Sequence, residues 1–370
     1  MGAALVVLHL SLIDGVGSVT IARLAQFLQT DTDWQQLYCY SAVDLQERFG
    51  LSCAMAENVY CGLADGSIVD ETLALLDRQA ILWASFLDDA YPVLLQHIHA
   101  RPAIIYWKGV LPKHAIGIVG ARKANWYARK TIDSLVGPLV EAGWVTISGG
   151  AVGADTMAHT ATMRHNGATV AVLGSGLLRP YPVSNKRLFD AMVAKGGAVL
   201  SAFPLKTVPA PGNFPARNRI IAGMSRALIV AQAAQKSGAR ITAQHALEQG
   251  REVFAVPGAI DDPLSAGCHD LIRSGATLVH SARQLLEDVS AVFPEGPVAN
   301  KHGSSLREQP DEALRAQDEQ AIISCCSQPC SLDALVHYTG LSLTFLHEKL
   351  LQLQLQGVIE QNAVGMWHRV

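Results

Sequence analysis

The chain has 370 residues, 49% hydrophobic and 16% charged, a length that exceeds one compact core and predicts two or three domains. Its opening MGAALVVLHLSLIDGVG lacks a basic leader and reaches Asp14 early, and nothing later approaches about 18 uninterrupted apolar residues, so a cytoplasmic protein with no export signal and no membrane span is expected. Seven cysteines without CxxC or zinc-ligand spacing read as reduced thiols, and neither a metal nor another cofactor is expected.

Residues 1–80 carry apolar spacing of helical period at Leu5, Leu8 and Leu12 and again at Ile21, Leu24 and Leu28, interrupted by Asp14-Gly15-Val16-Gly17-Ser18. This is the outline of a helix-hairpin-helix, or SAM-like, helical domain. Such a hairpin can bring backbone N–H groups to a DNA phosphate. Here, however, Arg23, Arg48 and Arg78 stand against ten carboxylates, and a structural or protein-contact role is favoured.

The overall charge of −3 conceals a split. Over residues 90–247, 18 lysines and arginines meet only Asp133, Glu141, Asp155 and Asp190, a local balance of +14 against −17 elsewhere. Such a block recruits an anionic partner, the alternative being cations scattered over a solvated surface. Within residues 90–290, short apolar runs at 116–119, 144–147, 169–173, 198–200, 227–230 and 252–256 alternate with helical stretches at 126–142, 154–165, 185–194, 218–222 and 239–249. Alternating βα units of this kind imply an α/β fold with a doubly wound parallel sheet, whose ligands bind beyond the strand C-termini.

Three turns follow those strands: Gly117-Ile118-Val119-Gly120-Ala121-Arg122, Ser148-Gly149-Gly150-Ala151-Val152-Gly153 and Gly174-Ser175-Gly176. None is a GxGxxG with a ribose-binding acid, a GxxxxGK[ST] or a GxSxG, so dinucleotide, P-loop and serine-hydrolase readings lose support. What remains is small residues with free N–H groups at helix N-termini, beside Arg122, Lys123, Lys186 and Arg187, an arrangement suited to phosphate. For any single glycine, a tight βα turn alone is the simpler account.

Residues 294–317 read as a polar linker. Beyond it, helices at 318–328, 331–339 and 342–356 and a hairpin at 358–370 outline a winged helix. From residue 318 onward it carries Lys349 and Arg369 against five carboxylates, too few cations for groove reading, so a protein-contact or packing role is expected.

The ordered series GIVGAR, SGGAVGADTMAH, AVLGSGL, YPVSN, LSAFP, NFPARNRIIAG, SGARITAQHA, GREVFAVPG and SAGCHDLIRSGA resembles the DNA-processing protein A family, DprA or Smf, over about residues 91–289. The resemblance implies an extended Rossmann-like fold with both flanking domains. It further implies a homodimer, without catalysis, that binds and protects incoming single-stranded DNA and loads the RecA recombinase onto it during natural transformation. Carried over residue by residue, the DNA pocket would draw on Arg122, on Ser148, Gly149, Gly150 and Gly153, on Gly174, Ser175 and Gly176, on Lys186 and Arg187, on Arg217 and Arg219 of the RNR motif, and on Lys236 and Arg240. The chain departs from the family pattern at Val152, where an arginine is usual, at Ala202, where an acid is usual, and at Arg240, which is an added cation.

Several residues invite a catalytic reading. Asp155 and His159 sit one helical turn apart, although a helix cap and a core histidine explain them more simply. His97 and His99 form an HxH without an evident third ligand. Trp126 and Tyr127 are equally readable as base-stacking or as core residues. The competing class is a nucleoside-monophosphate phosphoribohydrolase of similar Rossmann type. Pro257-Gly258-Ala259 departs from the PGGxGT loop of those enzymes, and residues 191–247 hold no glutamate to serve it.

Overall fold

The computed structural model describes residues 2–294 and 296–297, and beyond them 322–326, 329–331, 334–335, 346, 349–350, 352–354, 356–362 and 366–369. The chain divides into two compact units, Met1–Ala299 and Asn300–Val370.

The first unit opens with six helices: α1 (Ala3–Leu12), α2 (Ser18–Leu24), α3 (Asp31–Gln36), α4 (Ala42–Phe49), α5 (Cys53–Leu63) and α6 (Ser67–Arg78). Local chemistry sets their ends. Thr30 with Asp33 and Ser41 with Asp44 form reciprocal capping boxes on α3 and α4, and Gly50 closes α4 in the left-handed region at φ 61°. The hairpin between α1 and α2 forms as expected, with Gly15 at φ 77°.

A nine-stranded sheet follows, built from β1 (Leu82–Ser85), β2 (Ile104–Gly109), β3 (Ala115–Gly120), β4 (Val145–Ser148), β5 (Thr169–Leu173), β6 (Ala198–Ser201), β7 (Ala227–Gln232), β8 (Glu252–Ala255) and β9 (Thr277–Leu278). Its order is β1-β2-β6-β5-β4-β3-β7-β8-β9. The seven strands from β6 to β9 are parallel, as the alternation predicts. The sheet is mixed rather than wholly parallel, because β2 pairs antiparallel with β6 and with β1.

Helices cover both faces: α7 (Val93–Gln96), α8 (Trp126–Glu141), α9 (Ala154–Arg164), α10 (Lys186–Ala194), α11 (Asn213–Met224), α12 (Gly238–Glu248), α13 (Ala266–Arg273) and α14 (Ala282–Val292). Strand periodicity divides the core. Ala227 and Ile229 join the cluster under α8, α9 and α14, whereas Leu228 and Val230 join the cluster that continues through Ile220 and Ala243 to Ile105 and Leu8. The N-terminal helices thus share a core with the sheet. Helix α11 begins five residues before the expected 218, since Pro215 sits in its first turn, where a missing N–H costs nothing.

In the second unit, an antiparallel pair, β10 (Ile359–Gln361) and β11 (Trp367–Arg369), packs with Ile322, Leu335, Leu346 and Leu350. Most of the expected linker and much of the three helices of the winged-helix outline lie outside the described residues. Among the described residues, no helix is long and apolar enough to cross a membrane.

Candidate nucleic-acid interface

Chain order reverses at β3. Strands β4, β5 and β6 are laid to one side of it and β7, β8 and β9 to the other. Open α/β sheets bind ligands at the crevice this creates. Here it is a cleft of about 630 Å³ beyond the ends of β3 and β7, walled by Arg122 and Lys123 after β3, by Phe214, Arg217 and Asn218 of α11, and by Lys236 after β7. A smaller pocket of about 60 Å³, lined by Val152, Tyr181 and Pro182, shares Arg122, Ala151, Phe214 and Arg217 with it.

Arg217 holds the floor. It is only 4% exposed; its Nη1 donates to the carbonyls of Gly149 and Val172, and its Nε to Asn218 Oδ1 at 3.1 Å. Asp155, in the first turn of α9, accepts the Ala151 N–H at 3.2 Å. Gly149 lies between the two: a Cβ there would stand 2.6 Å from Arg217 Nη1 and 2.7 Å from Asp155 Oδ2. Burial raises the Asp155 carboxyl above the usual range, against the pull of the Arg217 charge. Burial likewise lowers the Arg217 guanidinium; Asp155 opposes this and Arg122 reinforces it. A buried guanidinium bonded to these carbonyls braces β5, the β4–α9 turn and α11 against one another.

Gly153 performs a related task at φ 85°, where a side chain would strike the carbonyl oxygens of Ala121 and Arg122. The close approach lets Ala154 N–H donate to Ala121 O at 3.1 Å, locking the first two turns together.

On this frame stand the open cations. Arg122, Lys123 and Lys236 are exposed and line the cleft. The Arg122 guanidinium lies 5.4 Å from the centroid of the Phe214 ring, and the Tyr181 ring, 45% exposed, is 5.8 Å from the same ring. Phosphate-seeking cations beside accessible aromatic faces are the chemistry of single-strand binding. Phe214 and Tyr181 were not singled out as site residues in the sequence, although both begin or interrupt basic motifs, NFPARNR and YPVSNKR, in which an aromatic residue is itself a signal.

The family model described as DNA recombination-mediator protein A matches residues 83–290. The chain belongs to that family. It is 32% identical over 383 residues to "Protein Smf" of Synechocystis sp., covering 95% of each chain. It is 44% identical over 209 residues to "DNA processing protein DprA" of Streptococcus pneumoniae, covering 55% of this chain and 73% of the relative. The X-ray structure of DprA from Streptococcus pneumoniae superposes with a TM-score of 0.68 at 34% identity, over 78% of this chain and 99% of that one. The Helicobacter pylori DprA structure, titled for its single-stranded DNA binding mode, shares the fold at a TM-score of 0.51 and 24% identity, over 58% of this chain and 97% of that one.

The positions carried over from the DprA motifs fall into distinct settings. Arg122, Gly149, Arg217 and Lys236 meet at the cleft and its side pocket. Ser148 is buried and donates to Ile118 O at 2.6 Å, and Gly150, at φ 65°, offers its carbonyl to the Asn185 amide at 3.0 Å. Both support the turn from behind. Gly174, Ser175 and Gly176 are buried, with Gly174 against the Phe214 ring and the Gly176 N–H taken by Thr207 O at 2.9 Å. The third turn is therefore roofed by the segment after β6 and is not an open phosphate cradle.

Lys186 and Arg187 are exposed at the start of α10 and line neither pocket, Lys186 pairing with Asp190 at 2.8 Å. Arg240 turns to Asp270 at 3.3 Å and to the Gln235 carbonyl at 2.6 Å. Arg219, on the far side of α11, lines a separate cavity.

Of the residues that invite a catalytic reading, Asp155 and His159 are held in structural roles. His159 is fully buried, shares a hydrogen bond with Thr169 Oγ1 at 2.7 Å, and is pushed down to about 3 by burial, so it is a neutral core imidazole. The aromatic pair divides: the Tyr127 hydroxyl donates to Pro257 O at 2.7 Å, while Trp126 is 73% exposed. His97 and His99 are exposed.

Proposed function

We propose that the cleft binds single-stranded DNA without sequence preference, and that the protein, as a homodimer, protects incoming strands and presents them to the RecA recombinase in DNA processing for natural transformation. The observation that carries this reading is the set of exposed cations Arg122, Lys123 and Lys236 lining the cleft at the strand-order reversal, with the Phe214 ring beside Arg122 and the Tyr181 ring beside Phe214. Cations there read phosphate and rings accept any base, so neither contact demands a particular sequence. The relatives named DNA processing protein DprA, and the family's description as a recombination mediator, support the biological role.

A phosphoribohydrolase would need a free carboxylate facing the ligand. The carboxylate among the residues lining the cleft is Asp155, which is buried, bonded to the Ala151 N–H and set beside Arg217. It is committed to holding the turn, so a binding protein is the better reading.

Fluorescence anisotropy with a thymidine oligomer, alone and as duplex, at about 50 and 200 mM salt tests the proposal. Tighter binding to the single strand, weakening with salt, is expected. Salt-independent affinity, or preference for one duplex sequence, contradicts it.

A further inference from the structure

Helix α8 starts beside the cleft: its first residue, Trp126, is three positions beyond Lys123, which lines it. Of the six tryptophans, Trp34, Trp107, Trp144 and Trp367 are buried and Trp83 is half-buried, whereas Trp126 is 73% exposed. It takes no part in the core clusters on either face of the sheet. A single exposed aromatic residue is ordinary on a protein surface, so its surroundings decide its meaning.

Those surroundings are cationic. Residues 122–132 carry Arg122, Lys123, Arg129 and Lys130 and no carboxylate. Trp126, Arg129 and Lys130 follow the i, i+3, i+4 spacing that places them on one face of the helix, and both cations are exposed. The next acid along α8, Asp133, is engaged by Arg164 at 3.2 Å and lies 3.5 Å from His165. Among the described residues, neither Arg129 nor Lys130 has an ion-pair partner, in contrast to Lys186 and Arg240.

The start of α8 is also firmly held. Asn125 Oδ1 caps the helix by accepting the Ala128 N–H at 3.2 Å. The Asn125 N–H donates to Gln232 Oε1 at the end of β7, and its amide donates to Asp262 Oδ2, each at 3.2 Å. The Tyr127 ring is pinned by its hydroxyl to Pro257 O, and the Trp126 ring stands at 86° to it with centroids 6.4 Å apart, so no ring covers the indole face to face.

We propose that a single DNA strand leaving the cleft past Lys123 continues over the start of α8, with one base stacked on Trp126 and the adjoining phosphates held by Arg129 and Lys130. The continuation rests on the cleft as the main site of the strand. An indole accepts any base and the two cations read only phosphate, so the extension lengthens the footprint without adding sequence preference.

Anisotropy with thymidine oligomers of about 6 and about 20 nucleotides, titrated against the full chain, tests this. Trp126→Ala, and separately Arg129→Glu with Lys130→Glu, should weaken binding of the longer oligomer about fivefold or more and leave the shorter within about twofold. Trp126→Phe keeps a ring and should restore most of the affinity. The longer oligomer should quench tryptophan emission in the wild type, and this quenching should be lost in Trp126→Phe although the strand is bound. If Arg122→Glu weakens both lengths while the α8 variants bind the longer oligomer like the wild type, the extension is overturned and the cleft reading stands, leaving the patch to a protein partner. Emission that the longer oligomer does not change overturns the extension as well. Equal losses for both lengths in Trp126→Ala would place the indole inside the cleft site and overturn a separate continuation. If Arg122→Glu changes neither length, the cleft reading fails and the extension fails with it.

Discussion

The Arg122 guanidinium rests against the Phe214 ring, 5.4 Å from its centroid, and so joins the turn after β3 to α11 across the mouth of the cleft. Reversing its charge exchanges attraction to phosphate for repulsion, and charge-assisted contacts are worth about 1.5–3 kcal/mol. Arg122→Glu should weaken single-strand binding at least about tenfold by anisotropy, with a melting temperature close to wild type because the side chain is exposed. Lys186→Glu should cost less, since Lys186 lines neither pocket and already faces Asp190. Equal losses for the two variants would show that the strand path runs over α10.

Val152 stands in the side pocket next to Arg122, 46% exposed, at the position where the motif pattern that the sequence resembles has an arginine. Val152→Arg adds a cation at a place already open to solvent. Single-strand affinity should rise several-fold, and the slope of log affinity against log salt should steepen by about 0.7, one further phosphate contact. Unchanged affinity and slope would mean that the strand does not pass this loop.

The parallel part of the sheet was legible because βα alternation with apolar strands leaves little choice of topology: β3 to β8 fall within a few residues of their expected bounds. The edge was not. Residues 104–109 form β2 by antiparallel pairing with β6, and residues 82–85 form β1 by antiparallel pairing with β2, long-range choices that no local period encodes. At the site, glycine-rich turns marked the right strand ends, but motif spacing is silent on side-chain direction. Arg217 and Arg219 belong to one RNR motif, yet helical geometry sends them to opposite faces of α11. Arg240, an added cation in its motif, is engaged by Asp270, thirty positions later in the chain, a pairing that motif spacing does not encode.

Arg217 should matter more to stability than to charge. Arg217→Leu leaves the Gly149 and Val172 carbonyls without a donor and Asp155 buried without its cation. Breaking one partner of such a buried set costs about 3–5 kcal/mol. Thermal unfolding should show a melting temperature lowered by several degrees or more; a shift within about one degree would mean that Arg217 is not the brace described.

His159 gives the protein an acid-sensitive core. Its folded pKa is pushed down to about 3 from 6.5 by burial, so between those values the unfolded chain binds a proton that the folded chain refuses. Its contribution to stability is complete above pH 6.5 and is lost as pH falls, at up to about 1.4 kcal/mol per pH unit. Urea unfolding of wild type and His159→Asn between about pH 7 and 5 should show a shallower acid decline in the variant, whatever its absolute stability. Parallel declines would place the imidazole in contact with solvent.

The path of the strand can be read covalently. A single-stranded oligomer containing 4-thiothymidine, irradiated in complex with the full chain and followed by peptide mapping, should attach to peptides spanning residues 119–127, 181–187, 211–221 or 234–242, the segments that bring Arg122, Tyr181, Phe214 and Lys236 to the cleft and its side pocket. Attachment confined to residues 1–80 or 318–370, with none in those segments, would contradict a DNA-binding cleft at the β3–β7 crevice.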